Sequence, residues 1–402
     1  IDVGASVQMT LKLNDKKITP DPLFEFGLAN SVEDMWEANV YALSILIAVF
    51  SGGWPYVKLA FMLVAWCTPA LVLPAKKREQ LLCYLDALSK WSLVDSYVLV
   101  LMMVAFRFHI ALTKGDNKAV IDIIVIPMWG FYGFLLATMI SLGMSHIILA
   151  VHRYTEDKRV VPENGPTRAL ADHSYRLYDG TRVRASTAGK IVVALIIVFS
   201  TVMVCVGSWI NSFSFEFQGL TGWMLGDDAK QGYSVVSIGE TLPSASGSPN
   251  DFGVRWIQST YFAFGVAIPL ALTLALFMLW VKPLTLSAQR QLFVLSEVLN
   301  AWSGLEVMVV SVVAALLQIS QFAKFIIGDS CDEIDEFLKK YMDEQLDGND
   351  TCFDVVATLD EGCWALFLSA ALFIFVMWPM MRLAHRALEE RMDEECPVAD
   401  LD

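Results

Sequence analysis

Hydrophobic residues in this chain fall in runs too long for a soluble core. Seven stretches, roughly 38–72, 91–111, 123–151, 190–210, 256–281, 302–327 and 362–381, are apolar and nearly free of charge. Runs of about eighteen or more such residues read as membrane-spanning helices, and in lipid they have to be helices because the backbone must satisfy its own hydrogen bonds. Between the runs the period changes. Residues 7–13 alternate Val7, Met9, Leu11 and Leu13 with Gln8, Thr10 and Lys12, the signature of a half-buried strand. Phe24-Glu25-Phe26 repeats that pattern. Phe213, Phe215 and Phe217 do so again around Ser214 and Glu216, and residues 233–238 are expected to follow as a strand.

The first span is too long for one simple crossing. About 35 residues extend roughly 52 Å as a helix, against a hydrocarbon core of about 30 Å. Gly52-Gly53-Trp54-Pro55 is the expected break, since proline removes a backbone donor and clashes one turn back. Two readings of the break stay open: an interfacial kink with Trp54 near the headgroups, or a broken helix lining a cavity.

The pattern then repeats. Lys90-Trp91-Ser92-Leu93-Val94-Asp95 and Ala301-Trp302-Ser303-Gly304-Leu305-Glu306 each place a Trp-Ser pair, then an acid, ahead of an apolar run. Pro55 precedes Pro69 by fourteen residues, and Pro269 precedes Pro283 by the same interval. Such self-similarity fixes an architecture before any other feature does. The expected fold is a mainly α polytopic membrane protein of two tandem, parallel four-helix modules with small outer-face β elements. The first module covers 1–151, with its β element at 1–36. The second covers 190–385, with its β element at 211–255. Residues 152–189 form a linker and 386–402 a tail. A helix precedes the second β element but not the first, so the first module is expected to lack its opening helix in this chain.

Composition agrees: 55% of the residues are hydrophobic, above the 45–50% usual for soluble domains. The net charge of −14 is unevenly placed. Lys76, Lys77, Arg78 and Lys90 crowd the segment 73–90, and 152–190 holds eight bases against five acids. The segment 328–361 holds twelve acids and two lysines. Basic loops stay cytoplasmic, which puts the N-terminus of this chain outside and the C-terminus inside.

Charges within the spans point to function because placing them there is costly. Lys58 follows Pro55 by three residues, whereas Leu272 holds the matching place after Pro269. Lys58 either snorkels to the headgroups or faces a cavity. Asp95 and Glu306 read as acids in a first helical turn, favoured by the helix dipole, and Trp91 and Trp302 as interfacial anchors. Lys58, Trp54, Pro55, Asp95, Glu306 and Pro269 are the cavity candidates. Cys331, Cys352 and Cys363 lie in or beside the acidic outer segment, where a disulfide between two of them is expected, with the pairing open. Asn349-Asp350-Thr351 is a glycosylation sequon. Asp343, Gln345, Asp347, Gly348 and Asp354 only partly follow a calcium-loop pattern. No metal-ligand spacing, nucleophile–base constellation or phosphate loop is present, so neither cofactor nor enzymatic activity is expected, and nothing suggests nucleic acid.

Trp54-Pro55, the bases at 76–78, and Leu85-Asp86-Ala87-Leu88-Ser89-Lys90-Trp91-Ser92 resemble the paraquat-inducible protein A family. Leu295-Ser296-Glu297-Val298-Leu299-Asn300-Ala301-Trp302-Ser303 is similar to eukaryotic members. The resemblance covers roughly 37–151 and 190–385. It implies a multi-pass protein of intermembrane lipid transport or membrane-lipid homeostasis, with lipids and an outer-face lipid-transfer protein as partners. Bacterial members work beside MCE-domain proteins and carry cytoplasmic C-x-x-C zinc ribbons, which this chain lacks. A tetraspan-like scaffold organising partner proteins is the alternative, and a solute transporter a weaker one.

Overall fold

The computed structural model of the protein describes residues 4–13, 16–18, 24–69, 71–114, 117–160, 174–179, 186–341 and 354–395. The chain opens with strands β1 (Ala5–Leu13), β2 (Lys16–Ile18) and β3 (Phe24–Phe26), then helix α1 (Leu28–Glu37). After a turn at 38–40, where Asn39 adopts a left-handed conformation (φ 61°), helix α2 (Tyr41–Ile47) leads through a π-helical turn (Ala48–Gly53) into α3 (Trp54–Cys67). The expected break at Pro55 is therefore absorbed without ending the helix. A proline cannot donate to the carbonyl four residues back, and a wider π turn accommodates the mismatch. The same device precedes Pro269 and Pro379.

Helix α4 (Ala75–Leu88) passes through a 3₁₀ turn (Ser89–Leu93) into α5 (Val94–Ala105). The basic segment 73–90 is thus largely helix, not loop. Strands β4 (Phe108–Lys114) and β5 (Asn117–Pro127) follow, then α6 (Trp129–Val160). The expected spans 91–111 and 123–151 draw back at their sheet-side ends, to Ala105 and Trp129, because Val, Ile and Thr at 108–127 pair as a hairpin instead of continuing the helices. All strands here are antiparallel, in the order β2-β1-β5-β4, with β3 also on β1.

Helix α7 (Thr187–Trp209) starts the second half, capped by Ser186, whose hydroxyl accepts from the Gly189 amide. Next come β6 (Phe213–Gln218), α8 (Gly219–Leu225), β7 (Lys230–Tyr233), α9 (Val235–Ala245) and α10 (Phe252–Phe262). The alternating phenylalanines form the expected strand. Residues 235–238, by contrast, are helical, because Ser234 and Ser237 cap each other's backbone and convert the run into a helix start. A π turn (Ala263–Ala267) leads into α11 (Ile268–Val281). Helix α12 (Leu286–Trp302) replaces the expected loop 282–301, and α13 (Leu305–Tyr341) carries the next span into the acidic segment. Strand β8 (Asp354–Leu359), helix α14 (Cys363–Leu372), a π turn (Phe373–Met377) and α15 (Trp378–Glu395) complete the chain. Strands β7-β6-β8 make a second antiparallel sheet.

Among the described residues, seven elements are long and apolar enough to cross a membrane: 41–67, 75–105, 129–155, 187–209, 252–281, 286–325 and 363–391. The protein is a multi-pass helical membrane protein. Its connectivity puts both sheets on one face. Helix α5 is the axis of the bundle, with every residue buried except the half-buried Asp95. A helix apolar all round belongs at the centre, and α13, α9 and α2 pack around it. In lipid the drive for this is close packing more than water exclusion. Gly207 shows how close: a Cβ there would sit 3.0 Å from the Ala365 carbonyl oxygen on α14. On the face opposite the sheets, Tyr175 bridges to Leu284, and the Arg391 side chain donates to the carbonyls of Arg176 and Asp179.

Candidate functional site

The Trp-Ser motifs lie inside their spans, not at an entrance to them. The turn at Ser89–Leu93 follows fourteen residues of α4, and Ser303-Gly304 follows the seventeen residues of α12. Each break interrupts a single crossing, 75–105 in one case and 286–325 in the other. Asp95 and Glu306 are each the second residue of the helix that resumes.

At this level the two halves exchange polar side chains. Lys90, 7% exposed, places Nζ 2.6 Å from Glu306 Oε1 and 3.4 Å from the Asn300 carbonyl oxygen. Trp302 Nε1 donates to His146 Nε2 at 2.7 Å, and His146 Nδ1 lies 3.2 Å from Asp86 Oδ2. Because Nε2 accepts, the ring proton resides on Nδ1, facing the carboxylate. Arg153 joins α6 to both halves, with Nε 2.7 Å from Glu79 and two further bonds of 2.6 and 3.1 Å to the Glu297 carboxylate. Such forked pairing fixes geometry as well as charge.

Lys58 is 1% exposed and does not snorkel. Its ammonium donates to the Ser141 carbonyl (2.8 Å) and hydroxyl (3.0 Å) on α6. Trp54 Nε1 donates to the Leu88 carbonyl at 3.1 Å, tying α3 to the end of α4. Trp91 and Trp302 are half-buried and pack at a tilt against Phe50 and Phe264, with centroids 5.1 and 5.5 Å apart. Those two phenylalanines sit in the π turns before Pro55 and Pro269, so each proline-marked turn buttresses its own tryptophan.

A roomy concavity lies elsewhere. A cleft of about 570 Å³ opens between α4, α12 and α15 on the face away from the sheets. Its walls mix apolar Leu149, Phe293, Trp378 and Met381 with charged Lys76, Glu79, Asp86, Glu297, Arg382 and Arg386. None of Trp54, Pro55, Lys58, Asp95, Pro269 or Glu306 lines it. The sequence signal for the cleft was the one-sided spacing of Arg382, His385, Arg386 and Glu389 beyond a proline, in a segment that otherwise reads as a tail. Cys363 carries a free, buried thiol, so it is not half of a disulfide. Cys352, Asn349 and the residues 343–350 of the partial calcium pattern lie outside the described residues, as does the Cys331 side chain.

No curated protein and no solved structure matches this chain. A family model does. Residues 240–331, which hold the second proline-marked helix, the second Trp-Ser turn and the start of α13, match the family described as Paraquat-inducible protein A, the family that the paired motifs resemble.

Proposed function

We propose that this protein handles membrane lipid, admitting a headgroup to the cleft between α4, α12 and α15 while the acyl chains remain in the bilayer. The carrying observation is the cleft itself: a charged, roomy concavity reaching into membrane-spanning helices. Ionisable groups at that depth are expensive unless they face a partner or a pathway, and pockets of about 300–1,000 Å³ are the size of small-ligand sites. The matching proline turns and Trp-Ser breaks support two tandem modules, with the cleft between their polar edges. The basic residues on the cleft face support a cytoplasmic position for it, and the sheets would then face outward.

Native mass spectrometry of the detergent-purified protein tests the reading. Phospholipid should be retained after extensive washing, and Phe293→Trp together with Met381→Trp, which fill the cleft, should release it. A protein that carries no lipid, and moves none between vesicles, would overturn it.

A further inference from the structure

The cleft carries charges of both signs, with Glu389 beyond Arg386 on α15 and Glu79 one turn from Lys76 on α4. Helix α15 presents Arg382 and Arg386 one turn from each other, and α4 adds Lys76. Among the described residues none of these three pairs with a carboxylate. The Arg382 guanidinium instead lies 3.7 Å over the Trp378 ring. Across the cleft, α4 and α12 contribute Glu79, Asp86 and Glu297. Arg153 supplies one positive charge to Glu79 and Glu297 together, and the His146 tautomer facing Asp86 is neutral. The Lys58 ammonium also acts on Asp86, so that wall keeps at most one negative charge in excess.

Asp86 is the decisive residue. It lines the cleft, is 5% exposed, and its Oδ1 has no hydrogen-bond partner. Leaving that enclosed acceptor unpaired is unfavourable, and a small rotation that turns Oδ1 to the cleft would let a donor ligand satisfy it. The lining runs from Lys76 to Ala87 on α4 and from Trp378 to Glu389 on α15, about 16 Å along each helix. Because α4 climbs toward the Trp-Ser turn and α15 descends from mid-span, Lys76 and Arg386 mark the mouth and Asp86 and Trp378 the deep end. A simple anion would leave the carboxylates unsatisfied. A metal ion is not suited either, since the described residues contain no cluster of three potential ligands.

We propose that the cleft selects an aminophospholipid. Its primary ammonium donates to Asp86 Oδ1 at the deep end, and its phosphate, a few ångströms away, is held by Arg382 and Arg386. The acyl chains pass out along Leu149, Phe293 and Met381. The selectivity comes from the N–H donors, because a quaternary ammonium carries charge but cannot donate. The proposal rests on the lipid-handling reading and adds the headgroup to it.

The test is a lipid series on the unaltered protein in nanodiscs, read by native mass spectrometry after delipidation. Retention should fall stepwise from phosphatidylethanolamine through its mono- and dimethyl forms to phosphatidylcholine, by about tenfold overall for the loss of one charge-assisted bond. Phosphatidylglycerol, which lacks the amine, should rank with phosphatidylcholine. Asp86→Asn should flatten the series, whereas Arg386→Gln, at an exposed position, should lower retention of every phospholipid about equally. Equal retention across the unaltered protein's series, with lipid still bound, overturns the headgroup assignment and leaves lipid handling standing. Absence of any bound lipid overturns both. Displacement of the lipid by soluble phosphoethanolamine would make the ligand a free zwitterion and overturn the lipid form of the proposal.

Discussion

Three residues past their prolines, the two halves of the bundle treat the same position in opposite ways. Lys58 on α3 buries an ammonium against Ser141, whereas Leu272 on α11 is fully buried among apolar neighbours. Their helices differ to match. Helix α11 is covered by α7 and buries Leu272, Leu276, Leu279 and Trp280. Helix α3 buries only Lys58, Met62 and Ala65, and turns Tyr56, Leu63, Val64 and Trp66 outward. A helix fastened along a narrow stripe gains from directional hydrogen bonds, because dispersion from so few buried side chains is small. A helix packed on several sides needs none.

The Trp-Ser turns differ in the same sense. A symmetrical exchange would pair residue 90 with 306 and residue 301 with 95. Only the first pair exists, Lys90 with Glu306; the second sets Ala301 against Asp95. Of the two exchanges between the motifs, only this one is ionic, and among the described residues Glu306 Oε2 has no hydrogen-bond partner. Removing one member of a buried pair leaves an uncompensated charge and costs about 3–5 kcal/mol. Lys90→Met should show the largest loss of stability of the substitutions considered, measured by SDS or thermal unfolding in detergent. Lys90→Met with Glu306→Leu should regain most of it. If the double variant is no more stable than the single one, the pair does not hold the seam.

How much of this was legible follows from which residues carry periodic information. The spans were readable because about twenty consecutive apolar residues have few other uses, and β6 was readable because three phenylalanines alternate. Helices α4 and α12 were not, since Lys76, Lys77 and Arg78 in one, and Gln289, Arg290 and Gln291 in the other, imitate a loop. One face of each lines the cleft, through Lys76, Glu79 and Asp86 on α4 and Glu297 on α12. Lys58 stood out as a charge in an apolar run, but its partner Ser141 lies 83 positions on, and only the fold brings a serine carbonyl to an ammonium. Asp86 was hidden for a related reason. Without the depth of α4, an acid next to basic residues reads as a surface charge.

Exchanging the position after the proline tests the contrast between the halves directly. Leu272→Lys places a charge at a fully buried position, and should cost about 3 kcal/mol, near the penalty for a charge at the centre of a spanning helix. Lys58→Leu loses two hydrogen bonds but also a buried charge, and should cost about 1 kcal/mol. Equal losses on unfolding would mean that the helices are packed alike after all.

A smaller effect separates the turns. Where the first motif has Leu93, the second has Gly304, and a Cβ there would come 2.2 Å from the Tyr97 hydroxyl. Tyr97 is itself buried on α5 and has little room to retreat. Gly304→Ala should destabilise by about 1–2 kcal/mol through overpacking, and Gly304→Ala with Tyr97→Phe should recover part of that loss by removing the oxygen in the way. No recovery would place the strain in the backbone of the turn instead.

The smallest expected effect divides the two tryptophans. Trp91 and Trp302 both rest on a phenylalanine of the preceding π turn, but only the Trp302 indole reaches a partner, His146 at 2.7 Å. Phenylalanine at either site keeps an aromatic ring on its neighbour, so the difference between the variants isolates the hydrogen bond. Trp302→Phe also leaves His146 Nε2 without a donor, freeing the ring to put its proton on either nitrogen and loosening its hold on Asp86. It should cost about 1 kcal/mol more than Trp91→Phe, and nitrogen-15 spectra of His146 should change from one tautomer to a mixture. If the tautomer persists in Trp302→Phe, then Asp86 alone orients the histidine.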